Sequence, residues 1–178
     1  MKIIFYIICS SLIFGNYSII QSNSKVEYFG HHPMHGFSGE ASSIKLISEC
    51  DDSADLCDLI FKVPVFSLSS GNDNRDSNML NYLNVFSYPE ITLIVEDFIV
   101  RDYNEENIVC KMIISGVNRQ IDIPLTLLEV SKKEYKASSS FIISLKDFNI
   151  EIPKLLFIPI DDEIKINVEF LIQEVGGK

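Results

Sequence analysis

Residues 66–89, FSLSSGNDNRDSNMLNYLNVFSYP, decide how the rest of the chain is read. The stretch opens on strand-like alternation, turns at Ser70-Gly71, and becomes a short amphipathic helix that Tyr88-Pro89 closes. Asn72 or Asp73 can cap the helix by accepting backbone N–H bonds. Met79, Leu83 and Phe86 recur at spacings of four and three and form one apolar face, with Leu80 beside them. Arg75, Asp76, Asn78 and Asn81 fall on the wetter side. A residue before proline is pushed out of the helical region, so Pro89 ends it. A single helix among strands reads as a lid over one end of a sheet.

On both sides of this stretch the chain alternates with a period of two. Upstream, strands are expected over 25–29, 37–47 and 58–68, with Gly39 a bend and Pro64 a bulge or edge position. Downstream, Ile94, Phe98 and Val100 share a face with Glu96. Ile108, Cys110, Met112 and Ile114 form the next set, followed by a tight turn at 116–119. Ile121, Ile123, Leu125 and Leu127 come after it, then Phe141, Ile143 and Leu145, and last Ile164, Ile166, Val168, Phe170 and Ile172. Links this short make the strands antiparallel. About eight such strands close most simply into a barrel able to hold side chains or one ligand. A two-sheet sandwich fits the same turn lengths. Residues 147–162 hold Leu155, Leu156, Phe157 and Ile158 between Pro153 and Pro159, and read as a loop folded over the core at a cavity mouth.

The 178 residues make one domain, 47% hydrophobic and 22% charged, with a net charge of −10 and no basic run. That balance disfavours nucleic acid and anionic membrane surfaces as partners. Lys2, the apolar run 3–14 and the small residues Ser22 and Ser24 form an export signal, with the mature domain, residues 25–178, expected to start at Lys25 in the periplasm or outside the cell. An oxidising compartment allows a disulfide between Cys50 and Cys57 across one polar turn, leaving Cys110 as a buried strand thiol.

Chemistry-bearing residues are few. His31, His32 and His35 invite a metal reading, but on a strand His31 and His35 stand roughly 13 Å apart, and Pro33 forbids the helical spacing that would unite them. They are read as structural or capping residues, and no metal or cofactor is expected. Arg75 offers a planar fork for a carboxylate or phosphate, while Asp76 suits the first turn of a helix. Ser138-Ser139-Ser140 has no activating partner, so no catalytic residue is assigned.

Several motifs together resemble the YceI-like family of secreted lipid- and polyisoprenoid-binding proteins. They are His32-Pro33-Met34-His35-Gly36-Phe37-Ser38-Gly39, the run from Val65 through SGNDNRD to Asp76, Met79-Leu80, Tyr88-Pro89, Ser115-Gly116-Val117, and 148–162. The resemblance spans the mature chain. It implies an eight-stranded antiparallel lipocalin-like barrel with a helix after the third strand, an elongated apolar cavity for an isoprenoid or other long lipid, and no established catalytic machinery. The inward sets then predict a cavity wall of Ile94, Phe98, Met112, Ile114, Ile123, Leu125, Phe141, Ile143, Val168 and Phe170. Met79, Leu83 and Phe86, with 155–158, would close its ends, and Arg75 would meet the head group. Asn78 stands where relatives usually carry histidine, so no role of that histidine carries over. Alternative readings are a secreted structural or interaction protein whose barrel is filled by its own side chains, or a hydrolase or isomerase using the cavity; among partners, a second copy in a homodimer is left open.

Overall fold

The computed structural model describes residues 16–50, 56–100, 103 and 106–175. The alternating runs become strands β1 (Asn16–Ile19), β2 (Lys25–His32), β3 (His35–Ala41), β4 (Lys45–Cys50), β5 (Leu56–Pro64) and β6 (Leu68–Ser69). The helix α1 (Asp73–Tyr82) follows. After it come β7 (Glu90–Ile99), β8 (Asn107–Ile114), β9 (Val117–Pro124), β10 (Thr126–Ser131), β11 (Glu134–Ser144), the small hairpin β12 (Lys154–Leu155) and β13 (Ile158–Pro159), and β14 (Glu163–Val175).

The expected closed barrel of eight strands is corrected by this structure. Among the described residues the long strands divide into two antiparallel sheets. One has seven strands in the order β10-β11-β14-β2-β3-β6, with β1 added on β14; the other has five, in the order β4-β5-β7-β8-β9. Two extended runs bend from one sheet into the other and are thereby split. Residues 35–50 pass through Ser42-Ser43-Ile44 between β3 and β4, and residues 117–131 turn at Leu125 between β9 and β10. Such corners are how two packed sheets share strands. Alternation reports which face a residue occupies and is silent on which sheet a strand joins. The single expected strand 37–47 is therefore two, and α1 follows the sixth strand rather than the third.

Residues before Lys25 also join the described fold. β1 pairs with the end of β14, Ile19 opposite Ile172. The Tyr17 side chain is buried, with its ring edge-on to Tyr135. Its backbone N–H donates to Ser48 Oγ at 2.8 Å, so β1 ties β14 in one sheet to β4 in the other. The Gln21 side chain bonds both backbone groups of Ile44 at the corner, and Ser24 Oγ accepts from the Leu171 N–H at 3.0 Å. Ser24, one of the small residues that look like a cleavage site, is here bonded to β14. The apolar run 3–14 lies outside the described residues.

Cys50 and Cys57 face each other across β4 and β5 and are joined, their Cα atoms 4.1 Å apart. Cys110 is a buried free thiol on β8. Gly116, at φ +77° in the β8–β9 turn, has the Tyr88 ring where a Cβ would lie, which fits Tyr88-Pro89 against the end of the five-stranded sheet.

Two outcomes are expected. A chain beginning at Lys25 unfolds at lower denaturant than one beginning at Asn16, by about 3 kcal/mol or more, because removing Tyr17 empties a large-side-chain site and frees the edge of β14. Matched urea melts of the two chains measure the difference, and equal stability would place the boundary back at Lys25. Burial, reinforced by the Asp122 charge, pushes the Cys110 thiol from its ordinary 9.0 up to about 11. The folded state then holds its proton where the unfolded chain has lost it, so stability falls as pH rises between about 9 and about 11. A Cys110→Ala variant should lack that component of the pH profile.

Candidate functional site

The interior between the sheets is packed solid in one half and, in the other, holds a cavity beside a second buried cluster that includes Val65, Val85 and Phe148. Toward the disulfide end, Leu59, Val100, Cys110 and Ile172 are each 3% exposed or less, and with Phe98, Ile108, Ile123 and Tyr135 they form a solid core. Toward the helix end, the inward residues Val63, Ile91, Leu93, Phe141, Ile166 and Val168 are only half-buried. What they are exposed to is an internal space of about 580 Å³. The boundary between the halves is Phe61 on β5 and Phe170 on β14, whose rings stack across the sheets with centroids 4.9 Å apart. Both line the cavity and both belong to the packed core, so they are its floor.

The mouth is marked by lining residues that are exposed: His35 from β3, Asn72, Asn74 and Asn78 around α1, and Lys154 and Leu155 from the β12–β13 hairpin. Arg75 and Lys154 are the only charged residues in the described lining. No carboxylate faces the cavity, although the chain has 25 acidic residues against 15 Lys and Arg.

Arg75 is positioned by the first turn of α1. Asn72 is the cap, its Oδ1 accepting from the Arg75 N–H at 3.0 Å. The Asp76 carboxylate accepts from the Ser70 N–H at 2.9 Å, from Ser69 Oγ at 3.1 Å and from the Ser70 hydroxyl. Burial works against the charge on Asp76, but these Ser70 and Ser69 bonds and the Arg75 guanidinium outweigh it and hold the carboxyl below its usual range. Arg75 itself donates from Nε to Ser70 Oγ at 2.8 Å and from Nη2 to the Ser70 carbonyl at 3.2 Å, and lies over the Phe37 ring, 5.2 Å from its centroid. Phe37 in turn rests on Gly30, where a Cβ would meet the ring at 2.3 Å. The pair thus anchors the helix and holds a cation at the cavity edge.

Of the expected wall, Met112, Ile114, Phe141, Ile143, Val168 and Phe170 line the cavity, as do Met79, Leu83 and Arg75. Ile123 and Leu125 lie below the floor, among the packed residues. Phe98 does too, and Ile94 sits on the outer face opposite Lys111, for one reason. β7 carries a bulge: Val95 pairs with Leu59 but Phe98 pairs with Cys57, so three steps on β7 match two on β5. Asp97 takes the extra step at φ 52°, its N–H donating to Asp58 Oδ1 at 2.9 Å. The inward set is Ile91, Leu93, Val95, then Phe98 and Val100, not the even run through Ile94. Phe86 lies past the end of α1 and is 89% exposed, edge-on to Phe66. Absent from the expected wall were Tyr28, Phe61, Val63, Leu93 and others that the register brings inward, with Ile164 and Ile166, whose face was read but which were not placed in the wall.

The His32 and His35 rings lie together, centroids 5.7 Å apart, while His31 stands away from them. His31 pairs with Asp161 at 3.1 Å on the surface, His32 is 1% exposed, and His35 is at the mouth. No group of three metal-ligating side chains occurs among the described residues. The Tyr28 hydroxyl is buried with no partner in hydrogen-bond geometry. Burial pushes its pKa above 10, Asp76 adding to the shift and Ser70 and Arg75 opposing it.

The 155–158 segment, expected to close the cavity, divides its labour. Leu155 lines the mouth, whereas Leu156 and Phe157 are 71% and 96% exposed. They form the two-residue turn between β12 and β13, with φ of 51° and 69°. Positive φ at both positions is the turn that favours Asn-Gly, and side chains with a Cβ are disfavoured there by about 1–2 kcal/mol each. Replacing Leu156-Phe157 by Asn-Gly is therefore expected to raise unfolding stability by about 1 kcal/mol or more, measured by chemical denaturation. An unchanged or lower midpoint would contradict the strained turn.

An all-β sandwich with a one-ended apolar cavity is the class that fold and site define. The YceI-like domain model matches residues 17–172, and the chain belongs to that family. The matched span starts at Tyr17, inside β1. Among solved structures, it is similar to Burkholderia cenocepacia BcnA, with TM-score 0.70 and 18% identity over 86% of this chain and 98% of that one. A polyisoprenoid binding domain from Saccharophagus degradans, implicated in plant cell wall breakdown, gives TM-score 0.72 at 13% identity over 90% and 99%. Campylobacter jejuni YCEI protein gives 0.62 at 18% over 78% and 85%. No curated protein matches at a significant level.

Proposed function

We propose that this protein is a non-catalytic carrier that holds one long apolar lipid, isoprenoid or fatty-acid-like, by its chain between the sheets. The observation that carries the reading is the cavity of about 580 Å³, walled by aliphatic and aromatic side chains and closed below by Phe61 and Phe170. That volume falls within the roughly 300–1,000 Å³ of ligand sites. Each methylene moved into it from water contributes about 0.8 kcal/mol, enough over a long chain to offset the cost of immobilising the ligand. The polyisoprenoid-binding domain among the similar folds supports the ligand class. Arg75 and Lys154, with no opposing carboxylate, suit a head group at the mouth rich in oxygen. The periplasmic or secreted location rests on the apolar run 3–14 behind Lys2. No helix among the described residues is long and apolar enough to cross a membrane.

Native mass spectrometry of the purified protein, with extraction of bound lipid, tests the reading. One lipid per chain is expected, and Ile114→Glu should lose it while keeping the β circular-dichroism spectrum, because an unpaired charge would face the apolar wall. Arg75→Ala should weaken a carboxylate-ended lipid several-fold and leave a hydrocarbon unaffected. A protein that never retains or takes up lipid would leave only a structural role.

A further inference from the structure

Two costs coincide at the tip of the β12–β13 hairpin. Leu156 and Phe157 are 71% and 96% exposed to water, and both hold positive φ, 51° and 69°, in a turn that Asn-Gly would fill more easily. A strained backbone that presents apolar side chains outward points to a contact beyond the chain. The tip is also held in place. At its base the Ile160 N–H donates to the Pro153 carbonyl at 3.0 Å and the Asp161 N–H to the His31 carbonyl at 2.8 Å, while the His31 and Asp161 side chains pair at 3.1 Å. The ties to His31 set the hairpin beside the β2–β3 turn, whose Met34 is 67% exposed.

What lies behind the tip says what it meets. Leu155, the residue before the turn, lines the cavity mouth, so the apolar lining runs outward without a break into Leu156 and Phe157, neither of which lines the cavity. Lys154, one residue further back, and Arg75 are the only charged residues of the described lining, and both are cations. An apolar tip flanked by cations complements a phospholipid bilayer, whose hydrocarbon lies just beneath phosphate oxygens. Resting on the reading of the cavity as a lipid site, we propose that the hairpin tip is a membrane-docking finger. Leu156 and Phe157, with Met34 beside them, enter the interfacial layer of a bilayer and bring the mouth to its surface, so that the lipid passes between bilayer and cavity without crossing water. The net charge of −10 directs the finger to zwitterionic rather than anionic surfaces.

The full chain contains no tryptophan, so a single introduced one reports its own surroundings. Phe157→Trp puts that reporter at the tip. Val130→Trp puts it on another exposed apolar site, on β10 at the packed end. With phosphatidylcholine vesicles the Phe157→Trp emission should shift to the blue and be quenched by bromine carried on the acyl chains, and the Val130→Trp emission should do neither. Leu156→Asn combined with Phe157→Gly, the change expected to stabilise the fold, should take a fluorescent fatty acid out of the same vesicles about tenfold more slowly than wild type. The same variant should bind that fatty acid from vesicle-free buffer with unchanged affinity. No shift in Phe157→Trp, an equal shift in Val130→Trp, or equal uptake rates would overturn the docking while leaving the lipid site in place. A shift that grows with protein concentration in the absence of vesicles would assign the tip to a second copy of the chain and overturn it as well. Insertion of the tip without any binding of the fatty acid from buffer would instead sustain the docking and overturn the carrier reading.

Discussion

The stack of Phe61 on Phe170 is the constraint on which the rest of the interior depends. It joins the two sheets at one level and separates two regimes of packing. Below it the facing residues interdigitate at the density of an ordinary protein core, and the fold's stability is concentrated there with β1, the disulfide and Tyr17. Above it the same alternation of apolar residues continues, but the sheets are capped by a polar helix and a small hairpin instead of being filled. None of the side chains of α1 itself is fully buried. A lid that contributes so little burial must be held by other means, and the capping bonds of Asn72 and Asp76 supply them.

This division reconciles two readings that seemed exclusive. A side-chain-filled interior and a binding protein's open cavity are each a fair description of half of the molecule. The packed half can bear the cost of the open half, because stability there comes from burial that a ligand does not disturb. It also bounds the cavity, which ends at the two stacked rings.

Polar groups are placed at the open end with similar economy. The acidic excess of the chain is kept out of the cavity, whose described charged residues are both cations. Tyr28 and His32 leave buried polar atoms unmatched there, which cores rarely tolerate and binding sites commonly need. The apolar turn Leu156-Phe157 breaks a local rule at the same rim, adopting backbone angles its residues disfavour. Departures from local consistency gather at this rim, while the packed half keeps one at the Asp97 bulge, where φ is 52°.

The sequence by itself determined the class. Period-two alternation made the chain all-β, the Asn72 cap and Pro89 bounded the helix, and the motifs through SGNDNRD named the family. Met112, Ile114, Phe141 and Val168 were legible as inward residues because their strands are regular, whereas Arg75 was placed at the cavity through the motif it belongs to. Sheet membership was not legible, since a strand that bends at Ser42-Ser43-Ile44 or Leu125 keeps its alternation while changing partners. Nor was the loss of Ile94 from the wall, because one extra residue at Asp97 inverts parity through a pairing with β5 that is distant in sequence. The pairing of β1 was hidden too: nothing in the local sequence around Tyr17 shows that β14 lies beside it. Where the interior stops being solid was decided by tertiary structure alone, for the same apolar residue makes a core or a cavity according to how far away the opposite sheet is held.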